Sequence, residues 1–402
     1  MPALPPPPPT ALAVHWGHVT QQSVAAAIAA ALALVAVTAV RRTIGRPSLV
    51  RSLWLELPLV ALALAAAGMY GRELGFIQML PGPVLPWTVG VAFAFYWLAV
   101  WWPLRVAWHS RTLRQRSTTG GRLTLGVAAT LVLGALWSCF VEPQRLEVEP
   151  RTVRLREVGP REIRVAHVSD LQMVAATSRD DGVIEAVTAF EPHVILLTGD
   201  YIAMSSAPEP SIRDVRGVLS RLRASHGIFA TTSDSDTEAQ RLRIFQDLPI
   251  RYLLNKSATV KIDGLTVRVG GLNHFVPRFS RTAGDAQPEE LFLLGCHTPD
   301  LAEEACRLIP TADAFLCGHT HGGQIQVPFF GPILTFCENT TRRVAAGGIF
   351  ETSTGIPLIV TRGVGMEGSY APRFRFWCRP HIFLLTLRGE PTDGDAVPPE
   401  RQ

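Results

Sequence analysis

Lysine is almost missing from this chain: of 402 residues only Lys256 and Lys261 are lysine, so nearly all the positive charge is arginine. That bias, beside abundant Ala and Pro, follows codon composition. With a net charge of only +4 it gives no sign of nucleic-acid binding. Cysteine is sparse: the six (139, 296, 306, 317, 337, 378) form no C-x-x-C pair and no dense framework, so no structural disulfides are expected. Acids are scarce up to Val141, where ten Arg face only Glu56 and Glu73. Lys and Arg are absent from positions 1–22, "MPALPPPPPTALAVHWGHVTQQ", which argues against a cleaved signal peptide. No internal repeat is visible.

What the first part does have is apolar length. Runs at about 23–40, 53–70, 84–102 and 123–141 each approach the ~20 residues that cross a bilayer. The second, with Glu56 near its start, is the weakest. Trp16, Trp54, Trp87, Trp101, Trp102 and Trp137 lie near run ends, where interfacial aromatic belts sit. Arg41, Arg42, Arg46 and Arg51 follow the first run, and Arg105, Arg111, Arg114 and Arg116 follow the third. Only Arg72, offset by Glu73, separates the second from the third. The positive-inside bias therefore puts the two Arg-rich loops in the cytoplasm, and the N-terminus and everything after Val141 outside. The alternative is four buried helices of a soluble domain.

Beyond the fourth run the pattern changes. "EPQRLEVEPRTVRLREVGPREIRV" reads as two short strands around Glu149-Pro150. "IRVAHVSD", "HVILLTGD" and "GIFATTSDSD" read as strands alternating with helices at "SRDDGVIEAVTAFEP" and "IRDVRGVLSRLRAS". Further strands are expected at 257–262, 265–271, 290–296, 312–317, 357–361 and 381–387, with a helix at "PDLAEEACRLI". Such alternation implies a layered α/β domain with buried strands.

In α/β sheets, polar groups at the carboxyl ends of strands converge on the ligand crevice. Those ends supply Asp170 and Gln172, Asp200, Asp234 to Asp236, His297, and His319 with His321. One such Asp or His is ordinarily a cap, a turn former or a satisfied polar residue. Acids and imidazoles at the ends of five apolar strands instead suit a two-metal site with one bridging carboxylate. Such a site hands a metal-bound hydroxide to a phosphoryl group and neutralises its charge.

"SDLQ", "TGD", "SDSD", "GCHTPD" and "CGHTHGGQIQVP" resemble, in order, the five motifs of the calcineurin-like metallophosphoesterases, usually D-x-H, G-D, G-N-H-[DE], H and G-H-x-H. The resemblance covers about Arg161 to Leu387. "VPFFGP" and residues 359–388 are similar to the membrane-anchored bacterial branch. It implies a four-layer α/β/β/α sandwich, preceded here by four transmembrane helices. It also implies two divalent ions, one on Asp170, Gln172, Asp200 and His321, the other on Asp200, Asp234, His297 and His319. Asp236 is read as a turn cap. The expected organisation is a Pro-rich segment (1–22), a transmembrane region (23–141), linker strands (142–160), the metallophosphoesterase domain (161–388) and a disordered tail (389–402).

The first and third motifs depart from the pattern. Gln172 stands where a His ligand is usual, and Ser233-Asp234-Ser235 replaces Gly-Asn-His. Gln172 for His and Asp234 for Asn make the site richer in oxygen and favour Mn²⁺ or Mg²⁺, with Fe or Zn as alternatives. Ser235 occupies the place of the family's catalytic His, and losing general-acid help costs about 10²–10⁴ in rate. That cost is smallest for weakly basic leaving groups, which points to pyrophosphate or aryl diester bonds. The expected protein is a multi-pass bacterial membrane phosphoesterase acting outside the cytoplasm on a phosphorylated lipid or small molecule. No nucleic-acid partner is expected. The rivals are an inactive relative that binds metal or a phosphorylated ligand, and a membrane sensing or transport module with the soluble domain as scaffold. "VPFFGPILTF" is expected beside the metals or as a core hairpin. "RFRFWCRP" (373–380) is expected to touch anionic headgroups or to form a solvated edge. His167, His193, His226, His274 and His381 are read as structural or surface residues.

Overall fold

The computed structural model describes residues 129–130, 133–203, 208–367 and 373–390, all within one compact unit that begins at Arg105. The first three apolar runs, the start of the fourth, residues 1–22 and most of the expected tail lie outside the described residues. Among the described residues no helix is long and apolar enough to cross a membrane. The described end of the fourth run closes in a π-helical turn, Trp137–Val141, and a 3₁₀ turn, Glu142–Gln144, with proline at its start.

In chain order the first half of the domain is β1 (Glu147–Arg154), β2 (Glu162–Val168), α1 (Ser178–Phe190), β3 (Val194–Leu197), α2 (Pro208–Leu219), β4 (Ile228–Ala230), α3 (Glu238–Phe245) and β5 (Ile250–Tyr252). Then come β6 (Lys256–Ile262), β7 (Leu265–Gly271), α4 (Phe279–Ala283), β8 (Leu291–Gly295), α5 (Ala302–Leu308) and β9 (Ala314–Cys317). The chain ends with the β10–β11 hairpin (Gln326–Val327, Gly331–Pro332), α6 (Arg342–Ala345), β12 (Gly348–Glu351), β13 (Pro357–Val360) and β14 (His381–Arg388). Two mixed six-stranded sheets result, ordered β1-β14-β2-β3-β4-β5 and β12-β13-β9-β8-β7-β6.

The pleat explains why the central strands are largely apolar. In β2, Ile163 and Val165 enter the core between the sheets, while Ala166 and Val168 enter the core under the helices of the first sheet. In β8, Leu291 and Leu293 face the first sheet, and Phe292 and Leu294 pack with residues of α5. Strands covered on both faces cannot alternate apolar with polar. Three stacked cores therefore separate four layers: helices, sheet, sheet, helices.

One reading needs correction. The segment expected to form two strands around Glu149-Pro150 is a single strand, β1, paired in parallel with β14 along its whole length. Pro150 does not break it because β1 is the edge of its sheet, where a missing N–H costs little. The segment is thus part of the sandwich.

Candidate metal centre

β2, β3 and β4 run parallel in one sheet and β7, β8 and β9 in the other, so their carboxyl ends open on shared edges. Asp170 and Gln172 follow β2, Asp200 follows β3, Asp234 follows β4, His297 follows β8, and His319 and His321 follow β9. Asp170, Gln172, Asp200, His319 and His321 all sit at φ between 35° and 67°. L-residues held in that left-handed region are strained, and such strain gathers at functional sites. Gly318 lets the loops close: an added Cβ there would fall on Ser169 Oγ and Asp170 Oδ2.

The structure brings all seven expected residues together. One ligand-capable atom from each of Asp200, Asp234, His297 and His319 lies within 4.8 Å of the others, and the same holds for Asp170, Asp200 and His321. Asp200 belongs to both groups. Gln172 joins the second group by donating from Nε2 to Asp200 Oδ2 at 3.0 Å, and it also donates to Glu367 Oε2 at 2.7 Å. Its Oε1 is buried without a partner. Arg373 donates to the Gln172 carbonyl at 2.6 Å.

Carbonyls fix the imidazoles. His297 Nδ1 lies 2.7 Å from the Thr198 carbonyl, and His319 Nε2 lies 3.0 Å from that of Phe336. A carbonyl only accepts, so those nitrogens carry the hydrogens. In the neutral rings His297 Nε2 and His319 Nδ1 are then left as bare lone pairs, 3.1 Å apart. Asp234 Oδ1 is 3.1 Å from the first and 3.6 Å from the second, and Asp200 Oδ1 is 3.2 Å from the first. Lone pairs and carboxylate oxygens converging without a proton between them are the donor set of a cation site. His321 Nε2 stands 3.5 Å from Asp170 Oδ1, and its Nδ1 is buried without a partner.

The electrostatics say the same. Burial, with help from Asp200, lifts the Asp170 carboxyl to about 6. Burial pushes Asp200 the same way, but the His297 imidazole overcomes it and holds the group at about 2. Burial opposes protonation of His297, yet Asp200 and Asp234 raise its pKa well above the ordinary value. His321, by contrast, is kept neutral by burial and by Arg375.

Asp236 does not enter either group. Its carboxylate accepts from the Tyr201 and Ile202 amides and from Ser233 Oγ at 2.8 to 2.9 Å, pinning the loop after β4 to the loop after β3. His274, read from sequence as structural, stands beside the centre. Its ring is 5.6 Å from that of His297 and 5.4 Å from that of His319, and Nδ1 is buried without a partner. The signal was available, since His274 follows the carboxyl end of β7 as the expected residues follow theirs.

No protein-family model matches the chain. It is 25% identical over 282 residues to "Uncharacterized metallophosphoesterase YkuE" of Bacillus subtilis (strain 168), covering 65% of this chain and 95% of that protein. It is 29% identical over 203 residues to "Phosphodiesterase YaeI" of Escherichia coli (strain K12), covering 49% and 71%. The chain belongs to the calcineurin-like metallophosphoesterase superfamily. This metallophosphoesterase is thereby placed among the phosphoester hydrolases. It is also 22% identical over 340 residues to "UDP-2,3-diacylglucosamine pyrophosphatase LpxG" of Chlamydia trachomatis, covering 67% and 99%.

Exposed apolar residues stand next to His274 and in the hairpin that precedes Phe336. Phe275 and Val276, next to His274, are exposed. The β10–β11 hairpin of "VPFFGP" is not a core element: Phe329 is fully exposed at its tip, Phe330 is 56% exposed, and the following Phe336 holds His319.

Proposed function

We propose that this metallophosphoesterase is held at a bacterial membrane, with its catalytic domain outside the cytoplasm, and hydrolyses a phosphodiester or pyrophosphate bond in an amphiphilic substrate. The observation that carries the reading is the convergence of His297 Nε2, His319 Nδ1, Asp200 and Asp234, whose tautomers are set by carbonyls behind them. Asp170, Gln172, Asp200 and His321 would hold one ion, and Asp200, Asp234, His297 and His319 the other. The oxygen-rich set favours Mn²⁺ or Mg²⁺. Bound there, two divalent ions would acidify a water molecule and neutralise charge gathering on the phosphoryl oxygens.

The rest of the work falls to the chain. Asp200 ties the two groups into one unit, and the Thr198 and Phe336 carbonyls keep the imidazoles aimed. His274, neutral because burial holds its pKa at about 4, offers a hydrogen bond to a phosphoryl oxygen. Phe275, Val276, Phe329 and Phe330 offer an apolar border for a hydrocarbon part of the substrate. The names of YaeI and LpxG, a phosphodiesterase and a pyrophosphatase, accord with the bond class. The apolar runs before Val141 supply the membrane attachment.

The test is an assay of the full chain against an aryl phosphodiester with added Mn²⁺. Activity abolished by Asp200→Ala supports the enzyme. Silence with every metal and substrate, alongside retained metal, supports the second reading, a relative that binds a phosphorylated ligand without turnover. That reading draws on Ser235, which stands where the resemblance places a catalytic His.

A further inference from the structure

Where the end of the fourth apolar run enters the domain there is a cavity of about 460 Å³. Three arginines line it, Arg145, Arg362 and Arg379, together with the rings of Trp137 and Trp377. Both of its acids are engaged. Glu142 Oε2 accepts from Trp137 Nε1 at 2.8 Å, and Glu147 lies 2.9 Å from Arg362 Nη2. Among the described residues, three positive charges against two negative leave the lining net positive. Among the described residues neither Arg145 nor Arg379 is paired with an acid; Arg145 instead lies over the Trp137 ring, 5.5 Å from its centroid. Arg362 adds a third guanidinium to the lining, 2.9 Å from Glu147.

The surroundings point to the source of that anion. Leu136 and Phe140, flanking Trp137, are 49% and 71% exposed. Trp377 is 65% exposed although its φ is +54°, a conformation that a non-glycine residue adopts at a cost. Exposed apolar side chains, two indoles and guanidinium groups without an acid partner in one place are the composition of a protein surface at the headgroup layer of a bilayer. The "RFRFWCRP" segment accordingly divides. Phe374, Arg375 and Cys378 are buried, while Trp377 and Arg379 face the cavity or the solvent.

We propose that this cavity binds the phosphate of an anionic phospholipid headgroup, charged by the unpaired Arg145 and Arg379, with the Trp137 and Trp377 rings beside it. The site is independent of phosphoester hydrolysis. It would fix the face that the domain turns to the membrane. Arg362 links it to the metal centre, because its side chain packs against Gly322 and its carbonyl accepts from Arg375 Nη2 at 2.8 Å.

Free phosphate offers the same chemistry, so the experiment separates the two. Full-length protein in neutral detergent is mixed with dioctanoyl phosphatidylglycerol, dioctanoyl phosphatidylcholine or inorganic phosphate, and bound molecules are counted by native mass spectrometry. The parent retains phosphatidylglycerol in preference to phosphatidylcholine, and the double variant Arg145→Gln/Arg379→Gln weakens that retention about thirtyfold. Equal retention of both lipids, retention of inorganic phosphate alone, or an unchanged double variant would overturn the proposal. A second measurement does not depend on the variant folding. Phosphatidylglycerol, and not phosphatidylcholine, slows hydrogen exchange at residues 145–147 and 376–379 of the parent; no such slowing overturns the proposal as well.

Discussion

Ser235 Oγ donates to Asp200 Oδ1 at 2.8 Å, and the Ser235 amide lies 3.3 Å from the same oxygen. Asp200 is the carboxylate common to both candidate ion groups. The hydroxyl at the position where the resemblance expects a catalytic His is therefore committed to the metal scaffold, and it is no acid near neutral pH. Weakly basic leaving groups should be favoured, with pyrophosphate or aryl diester bonds turning over about 10²-fold or more faster than alkyl monoesters. Ser235→Ala should leave that ratio within about threefold, since one hydrogen bond to a charged group is worth about 1.5–3 kcal/mol to both substrates alike. A ratio that collapses in the variant would assign proton donation to Ser235.

Metal content tests the shared carboxylate separately from turnover. Asp200→Ala removes a donor from both groups, whereas His319→Ala removes one from a single group. The parent should carry about two divalent ions per chain after gel filtration, His319→Ala about one, and Asp200→Ala close to none. Elemental analysis reads this directly. Equal content in the three proteins would remove the metal assignment.

The site was legible because buried strands end abruptly. β2, β3, β8 and β9 are buried and mostly apolar, so Asp170, Asp200, His297 and His319 stand out just past the end of each run. His274 carried the same signal past β7, but its closeness to His297, 23 positions away, follows from β7 lying next to β8 in the sheet and could not be read from sequence. β5 and α3 were missed for another reason. β5 has three residues, and α3 is polar on most of its surface. Only the capping box Thr237-x-x-Gln240 marks its start. Pro150 misled because an edge position cannot be read from one strand alone.

Gly318 should be intolerant of a single methyl. In Gly318→Ala the new Cβ would overlap Ser169 Oγ and Asp170 Oδ2, and Asp170 also holds the His319 amide at 3.0 Å. Asp170 must move, so the ion held with His321 should be lost while the fold persists. Circular dichroism like the parent's, with metal content reduced by about one ion per chain, is the expected result. Parent-like metal content would mean that the loop yields without disturbing Asp170.

His167 gives the fold an acid limit. Burial between the sheets, and secondarily the charge of His381, pushes its pKa down to about 3 from an ordinary 6.5. Above pH 6.5 the ring is neutral in both states and costs nothing. Below it the unfolded chain takes up a proton that the folded chain refuses until about pH 3, so stability falls as pH falls through that window, by about 1.4 kcal/mol per unit. The slope between pH 6.5 and 4.5 should be shallower in His167→Gln when denaturation midpoints of the two proteins are compared. Parallel curves would acquit His167.

Arg375 holds the His321 loop without an acid to balance it. The side chain is fully buried, and its guanidinium donates only to backbone oxygens and to a thiol. Nε and Nη2 reach the Gly365 carbonyl at 3.0 and 2.6 Å, Nη2 reaches Arg362 and Gly363 at 2.8 and 3.1 Å, and Nη1 reaches His321 at 3.2 Å. Burial lowers its pKa to about 10, so the charge persists at neutral pH. A planar fork can serve carbonyls on several loops at once, and the compact ammonium of lysine cannot. Arg375→Lys should therefore lower stability by about 3 kcal/mol, as buried carbonyls lose their donors. Because Gly363 packs against Asp170 and the His321 carbonyl is released, the same variant should lose the ion of the Asp170 group before that of the Asp234 group. The two groups differ in nitrogen content, so stepwise chelation with the metals counted at each step distinguishes them. Loss of both ions together, at the parent's chelator concentration, would mean that Arg375 braces the fold and does not tune the centre.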